Sequence, residues 1–141
     1  MQSKARGDLI FIRLFPDEDF YQSLREACRK YRVETAVVLS GLGQLKQFEL
    51  GYFREKGDYA PEEFAKPHEL LALSGIISRQ GGDYNFHLHV ALGDEEKRVV
   101  GGHLIKGTVE VTSEIVLLKT DLAVKRREEE STGLQGMFLE E

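Results

Sequence analysis

The stretch FHLHVALGDEEKRVVGGHL, residues 86–104, predicts two antiparallel strands joined by a polar turn at 94–97. Apolar residues alternate with polar ones along the first strand, so one face should pack on a core. That apolar face consists of Phe86, Leu88, Val90 and Leu92. His87 and His89 lie two residues apart and therefore emerge from the opposite face, and His103 follows on the second strand.

These three histidines predict a metal site formed by His87, His89 and His103. Three neutral imidazoles held by rigid strands, with one position left to water, are a common ligand set for a reactive first-row metal, most often zinc. Zinc is therefore the expected cofactor, with another divalent transition metal as the alternative. The competing interpretation is a hydrogen-bonded polar pocket without metal.

Whether the three imidazoles meet depends on the register of the hairpin. If Gly93 pairs with Arg98, antiparallel counting sets Leu88 opposite His103, on the wrong face for a shared site. If Gly93 pairs with Val99 instead, His89 faces His103 directly. A bulge at the paired glycines 101–102 would also correct the register.

A carboxylate partner is expected near a histidine metal site, because a ligating imidazole usually donates its other N–H to a carboxylate or carbonyl. Glu114 is the preferred candidate, with Glu110 and Thr112 on the same strand face. Glu114 could instead be a fourth ligand, a catalytic proton-transfer group or a solvated side chain. His68 stands apart in the sequence and is interpreted as structural.

The remaining pattern predicts an α+β domain, with a mainly antiparallel β-sheet and one principal helix. Asp17 is the expected N-cap of that helix, which should run to about Tyr31 and bury Cys28 as a small core residue. Gly41-Leu42-Gly43 predicts a tight turn, and residues 55–67 predict the longest loop. Strands are predicted at 8–15, 34–41, 44–53, 68–79, 84–93, 99–106 and 108–119.

Composition narrows the function classes. The 141 residues fit one domain, 1–141, with a charged C-terminal tail from about residue 125. Acidic residues number 24 against 19 basic ones, a net charge of -5, so there is no general electrostatic reason to bind nucleic acid. The single cysteine, the missing secretory signal and the lack of an apolar span predict a cytoplasmic protein without membrane segments.

Several motifs, in order, resemble the domain shared by plants and prokaryotes called PPC, or domain of unknown function 296. The motifs are IRLFPDEDFYQSLREACRKY, VLSGLGQLKQFELGYF, ELLALSG, FHLHVAL, VVGGHLIKG and TSEIVLL. The resemblance covers nearly the whole chain and implies an α+β subunit assembled as a homotrimer. The histidines at the HLH and GGHL positions are similar to those of the prokaryotic type.

In plants, members of this family carry a separate AT-hook that reads the minor groove of DNA. The sequence has no Arg-Gly-Arg-Pro motif, and its basic cluster Lys125-Arg126-Arg127 is followed directly by three glutamates. DNA binding by family analogy would therefore lack its contacting segment.

Three functions follow as hypotheses. The first is a zinc-binding homotrimer of regulatory or otherwise unassigned role, acting through protein partners or a small-molecule ligand. The second is a small zinc-dependent enzyme, such as a lyase or hydrolase acting on a small carbonyl compound. Its histidine site resembles the zinc centre of acetolactate decarboxylases. The third is DNA association.

Overall fold

The computed structural model describes residues 1–139, in which nine strands and one helix occur. The strands are β1 (Gln2–Arg6), β2 (Leu9–Leu14), β3 (Thr35–Gly51), β4 (Glu62–Phe64), β5 (His68–Gln80), β6 (Asp83–Gly93), β7 (Val99–Thr120), β8 (Val124–Glu128) and β9 (Gln135–Leu139), and the helix is α1 (Phe20–Lys30). The fold is mostly antiparallel β-sheet with a single short helix, as the sequence predicts.

Seven strands form one sheet in the order β1-β2-β7-β6-β5-β3-β4, and β7 also pairs with β3. Strands β3, β5, β6 and β7 therefore form a closed circuit of hydrogen-bonded neighbours. His103 lies where this circuit closes, because it pairs with His89 on one side and with Gly51 on the other. Strands β8 and β9 form a separate two-stranded sheet.

The alternation predicted for β6 is confirmed. Leu88 and Leu92 are fully buried and Val90 is nearly so, whereas His87 and His89 are exposed. The apolar side chains point into the closed circuit and pack on one continuous core, to which the helix adds Phe20 and Leu24. The paired histidines therefore lie on the outer face of the sheet.

The helix begins two residues later than predicted. Its N-cap is Asp19, whose side chain accepts from the backbone N–H of Gln22 at 2.7 Å. Asp17 does not cap it, because its φ of 71° lies outside the extended region that an N-cap adopts and its carboxylate pairs with Lys46 instead. Cys28 is buried as predicted, and burial raises the pKa of its thiol to about 12.

The predicted tight turn at 41–43 was wrong, because β3 runs through it without a break. Gly41 and Gly43 instead allow neighbouring strands to approach β3 closely. A Cβ on Gly41 would lie 2.6 Å from the side chain of Leu73, and one on Gly43, where φ is +143°, would lie 2.1 Å from the carbonyl oxygen of Thr112. Likewise β7 is one strand rather than two, since Gly107 pairs within the ladder.

The chain after β7 is more ordered than a charged tail. Strands β8 and β9 pair from Val124 with Leu139 to Glu128 with Gln135, and we call residues 124–139 the C-terminal hairpin. The prediction for residues 140 and 141 lies outside the described residues. The predicted loop at 55–67 likewise contains the short strand β4. No helix within residues 1–139 is long and apolar enough to cross a membrane.

Candidate metal centre

The register of the β6–β7 hairpin brings His89 directly opposite His103. Gly93 pairs with Val99, which is the favourable one of the two simple registers. The ladder needs no bulge at the two glycines before His103. They serve close packing instead, since a Cβ on Gly101 would lie 2.9 Å from a carbonyl of β6 and one on Gly102 would lie 2.9 Å from the carbonyl of Gly51.

The three imidazoles converge on one point of the outer face. Their ring centroids lie 5.1 Å apart for His87 and His89, 5.8 Å for His87 and His103, and 5.6 Å for His89 and His103. One nitrogen from each ring can be chosen so that all lie within 4.8 Å of one another. Tetrahedral zinc–nitrogen bonds of about 2.0–2.1 Å place ligand nitrogens about 3.4 Å apart, so small side-chain rotations would close the site.

The surroundings of the cluster differ from ring to ring. His87 and His89 are exposed, whereas His103 is half-buried and contacts the edge of Tyr59 with centroids 5.5 Å apart. Nδ1 of His103 is buried without a hydrogen-bond partner among residues 1–139. A buried nitrogen without a hydrogen-bond partner costs free energy. A metal bound by the three rings would fix their tautomers, so this set of donors fits a metal site.

Electrostatics favour neutral imidazoles at this point of the sheet. Burial, followed by the charges of His89 and His87, lowers the pKa of His103 to about 4. Burial, followed by the charges of His89 and Arg126, also lowers the pKa of His87. A metal requires the neutral, unprotonated ring, so proton competition at these two positions is weak near pH 7.

Glu114 does not meet the cluster within one chain, and the prediction of a local carboxylate partner is corrected accordingly. It lies eleven residues beyond His103 in the same strand, roughly 35 Å of extended backbone. It is exposed between Arg13 and Leu42 on the neighbouring strands. Thr112 on the same strand face donates to the carbonyl of Leu14 at 3.4 Å.

His68 has the structural role expected of it. The residue is 8% exposed, and its Nδ1 lies 2.8 Å from the carbonyl oxygen of Lys66. Its ring packs edge-on against Phe48 and Phe64, with centroid distances of 5.0 and 5.9 Å.

Two neighbours of the cluster were not found from the sequence. Tyr59 comes from the segment predicted as a loop, and no local pattern links it to His103. Arg126 was predicted only as part of the charged C-terminal tail. The alternation in β8 was the signal that could have identified Arg126. Buried Val124 and half-buried Arg126 share one face of the strand, while Lys125 and Arg127 are exposed.

The sequence profile of the Plants and Prokaryotes Conserved domain, abbreviated PCC or PPC, matches residues 1–121. The chain belongs to this family. Among curated proteins it is similar to the bifunctional protein GlmU of two Synechococcus strains, each 34% identical over 131 residues. The match covers 92% of the chain and 20% of GlmU, so this PCC chain spans about a fifth of the length of those relatives.

Solved structures share the PCC fold over almost the whole chain. A plant- and prokaryote-conserved protein from Pyrococcus horikoshii is 31% identical with a TM-score of 0.81, covering 92% of both chains. A metal-containing protein from Archaeoglobus fulgidus is 28% identical with a TM-score of 0.83, covering 94% of both chains. A candidate DNA-binding protein from Bacteroides thetaiotaomicron, 20% identical over 98% of this chain and 96% of its own, shows the fold alone with a TM-score of 0.90.

Proposed function

We propose that this PCC protein binds one zinc ion per chain through His87, His89 and His103. The observation that carries the proposal is the approach of three imidazole nitrogens to within 4.8 Å of one another. The unpartnered Nδ1 of His103 and the metal-containing relative from Archaeoglobus fulgidus support it. Three imidazole ligands suit zinc, and copper, nickel or iron would bind the same donors with different geometry.

The proposed metal keeps an open coordination position toward solvent. The cluster found among the described residues contains three ligands rather than four, and two of its rings are exposed. A structural zinc site is normally closed by four protein ligands, whereas three ligands leave a place for water or another molecule. This arrangement favours a site that binds a small-molecule ligand over a purely structural one.

The same open position supports a second candidate, a small zinc-dependent lyase or hydrolase acting on a carbonyl compound. Zinc polarises a carbonyl oxygen or lowers the pKa of a bound water when such a site is loaded. The exposed side of His87 and His89 would admit the substrate.

We also propose that the chain assembles as a homotrimer through an apolar face on strands β2, β3 and β7. We define this apolar face as Leu9, Phe11, Val37, Leu39, Leu42 and Leu118, all of which are 37–56% exposed. Leu118 pairs with Leu9 on one side and with Val37 on the other, so the face is continuous across three strands. Contiguous exposed apolar surface of this kind marks interaction sites.

Metal analysis tests the zinc proposal. Protein purified without a histidine tag should contain about one zinc per chain by mass spectrometry, and the His87→Ala/His89→Ala variant should contain almost none. The His68→Ala variant is the matched control, because His68 lies in the core away from the cluster. Equal zinc in the wild type and the double variant would refute the site.

Molar mass in solution tests the trimer. Light scattering coupled to size exclusion should give three times the 16.0 kDa chain mass. The Phe11→Asp variant should shift the mass toward the monomer, whereas Leu122→Asp, at an exposed position outside the apolar face, should not. A monomeric wild type would exclude the assembly.

The proposed function does not include DNA binding, since the net charge of -5 opposes binding to phosphates.

A further inference from the structure

The C-terminal hairpin covers part of the same outer face that carries the histidines. Gln80 joins the two elements. Its Nε2 donates to the hydroxyl of Ser78 at 3.3 Å and to the carbonyl of Val124 at 3.1 Å, and its Oε1 accepts from the backbone N–H of Arg126 at 3.4 Å. Val124 is 6% exposed, so the hairpin is packed and not merely adjacent.

This contact holds the backbone of Arg126 against β5, the strand that pairs with the histidine-bearing strand β6. Ser78 pairs with Asn85 on β6, and His87 is the next residue on the same face of that strand. The charge of Arg126 is also among the causes that lower the pKa of His87, after burial and the charge of His89. The family profile ends at residue 121, so membership of the PCC family assigns no role to Arg126.

The guanidinium of Arg126 has one nitrogen with a hydrogen-bond partner and two nitrogens without one. Its Nη1 donates to the carbonyl of Gln135 at 3.2 Å, which holds the group in place. Its Nε and Nη2 are buried and have no hydrogen-bond partner in the part of the chain that the structure describes. Nε and Nη2 together form the edge of a guanidinium that binds both oxygens of a carboxylate.

The charge balance indicates what would bind there. Three neutral imidazoles leave the full double charge on a bound zinc, and Arg126 adds a further positive charge on the side of His87. No carboxylate within residues 1–139 forms an ion pair with Arg126. A buried, unpaired cationic edge next to a metal centre favours an anionic ligand.

We propose that Arg126 is the carboxylate-binding residue of the histidine site, and that the ligand is a small carboxylic acid with a second oxygen able to reach the metal. The planar Nε–Nη2 edge can donate one hydrogen bond to each oxygen of a carboxylate, and this selects a carboxylate. The open coordination position of the metal takes the hydroxyl or carbonyl oxygen that lies beside the carboxylate. This proposal rests on the zinc site proposed above and names the class of molecule that the site takes.

Calorimetric titration of the zinc-loaded protein with glycolate and with its neutral amide, glycolamide, tests the proposal. The wild type should bind glycolate and bind glycolamide much more weakly. The Arg126→Gln variant should lose glycolate affinity by about tenfold or more, the range expected for a charged hydrogen-bonded pair. Arg126→Lys keeps the charge without the two-pronged edge and should lie between. The control is Arg127→Gln, on the exposed side of the same strand, which should bind glycolate like the wild type.

Zinc titrations of the same variants separate the two proposals. If all variants bind zinc equally and Arg126→Gln binds glycolate like the wild type, the role of Arg126 is overturned and the metal site stands. If the wild type binds no zinc, the metal proposal fails, and glycolate titration of the metal-free protein decides on Arg126 alone. Tighter binding of inorganic phosphate than of glycolate would overturn the choice of a carboxylate. If Arg126→Gln melts at a lower temperature, the Arg126→Lys variant carries the comparison.

Discussion

His68 and the cluster of His87, His89 and His103 are histidine environments built on the same closed circuit of strands, with opposite outcomes. His68 points inward, packs against Phe48 and Phe64, and has a backbone partner for its Nδ1. The cluster points outward, and its half-buried member His103 has an Nδ1 without a partner. A histidine whose hydrogen bonds are satisfied stabilises a fold, whereas three convergent histidines, two of them exposed and one with a buried unpartnered Nδ1, are available for a ligand.

The difference between these two histidine environments comes from the register of the β6–β7 hairpin and not from residue composition. His103 meets His89 only because Gly93 pairs with Val99, and a slip by one residue would turn one of them to the other face. Variants that separate metal binding from fold stability should therefore divide the four histidines into the same two groups.

The largest effect is expected from removing His103. The His103→Ala variant should lose zinc affinity by more than about 100-fold, because loss of an outer hydrogen-bond partner alone costs about 10–100-fold and this change removes a ligand. Competition with a zinc-sensitive dye measures it. His68→Ala serves as the control and should keep its zinc affinity per folded molecule; similar losses in both variants would erase the distinction between the two environments.

Gly75→Ala should damage both fold and site. Gly75 lies on β5 opposite Leu88, with φ of +151°, and an added Cβ would lie 2.0 Å from the carbonyl oxygen of His87. Strain and overpacking of this kind should destabilise the protein by about 3 kcal/mol or more. Because β6 must shift, zinc affinity should fall too. Urea unfolding and zinc titration measure the two effects. Gly82→Ala, where nothing lies within 4 Å of the added Cβ, is the control; equal effects of the two changes would contradict this account.

His68→Ala should affect stability alone. The change removes a buried ring with two aromatic contacts and one hydrogen bond, at a cost of about 2–3 kcal/mol. Urea unfolding of the metal-free protein measures the loss. The His89→Ala variant provides the comparison, since its ring is exposed and its loss should change stability by less than about 1 kcal/mol. A larger loss from His89→Ala would reverse the assignment of roles.

Much of the fold follows from alternation and turn residues, because these local signals agree with the tertiary structure. The strand with the paired histidines, the polar turn after it and the helix were predicted on this basis. The continuity of β3 and β7 was not predicted, since Gly41, Gly43 and Gly107 indicate turns when the neighbouring strands are not considered. β1 was missed because its sequence QSKAR is polar.

The candidate site divides in the same way. The spacing of His87, His89 and His103 predicted which residues come together, and hairpin counting reduced their meeting to one choice of register. Glu114 was proposed from its place on a strand, and only the length of β7 shows that it lies too far along. Arg126 belongs to a hairpin that returns to the sheet through Gln80, a long-range contact that no local pattern predicts.

The smallest effect expected is a pH dependence in the metal-free protein. The pKa of His103 is about 4 in the folded chain against an ordinary value of 6.5, chiefly because of burial. Between these values the unfolded state binds the proton and the folded state does not, so unfolding becomes easier as pH falls from about 6.5 toward about 4. Urea midpoints at pH 7 and pH 5 should decrease more in the wild type than in His103→Gln, which cannot titrate. Saturating zinc should stabilise the wild type at pH 7 and lose part of that effect at pH 5, because protons compete for the rings. For the metal-free proteins, an equal decrease of the urea midpoint in the wild type and in His103→Gln would show that His103 is not held neutral by its surroundings.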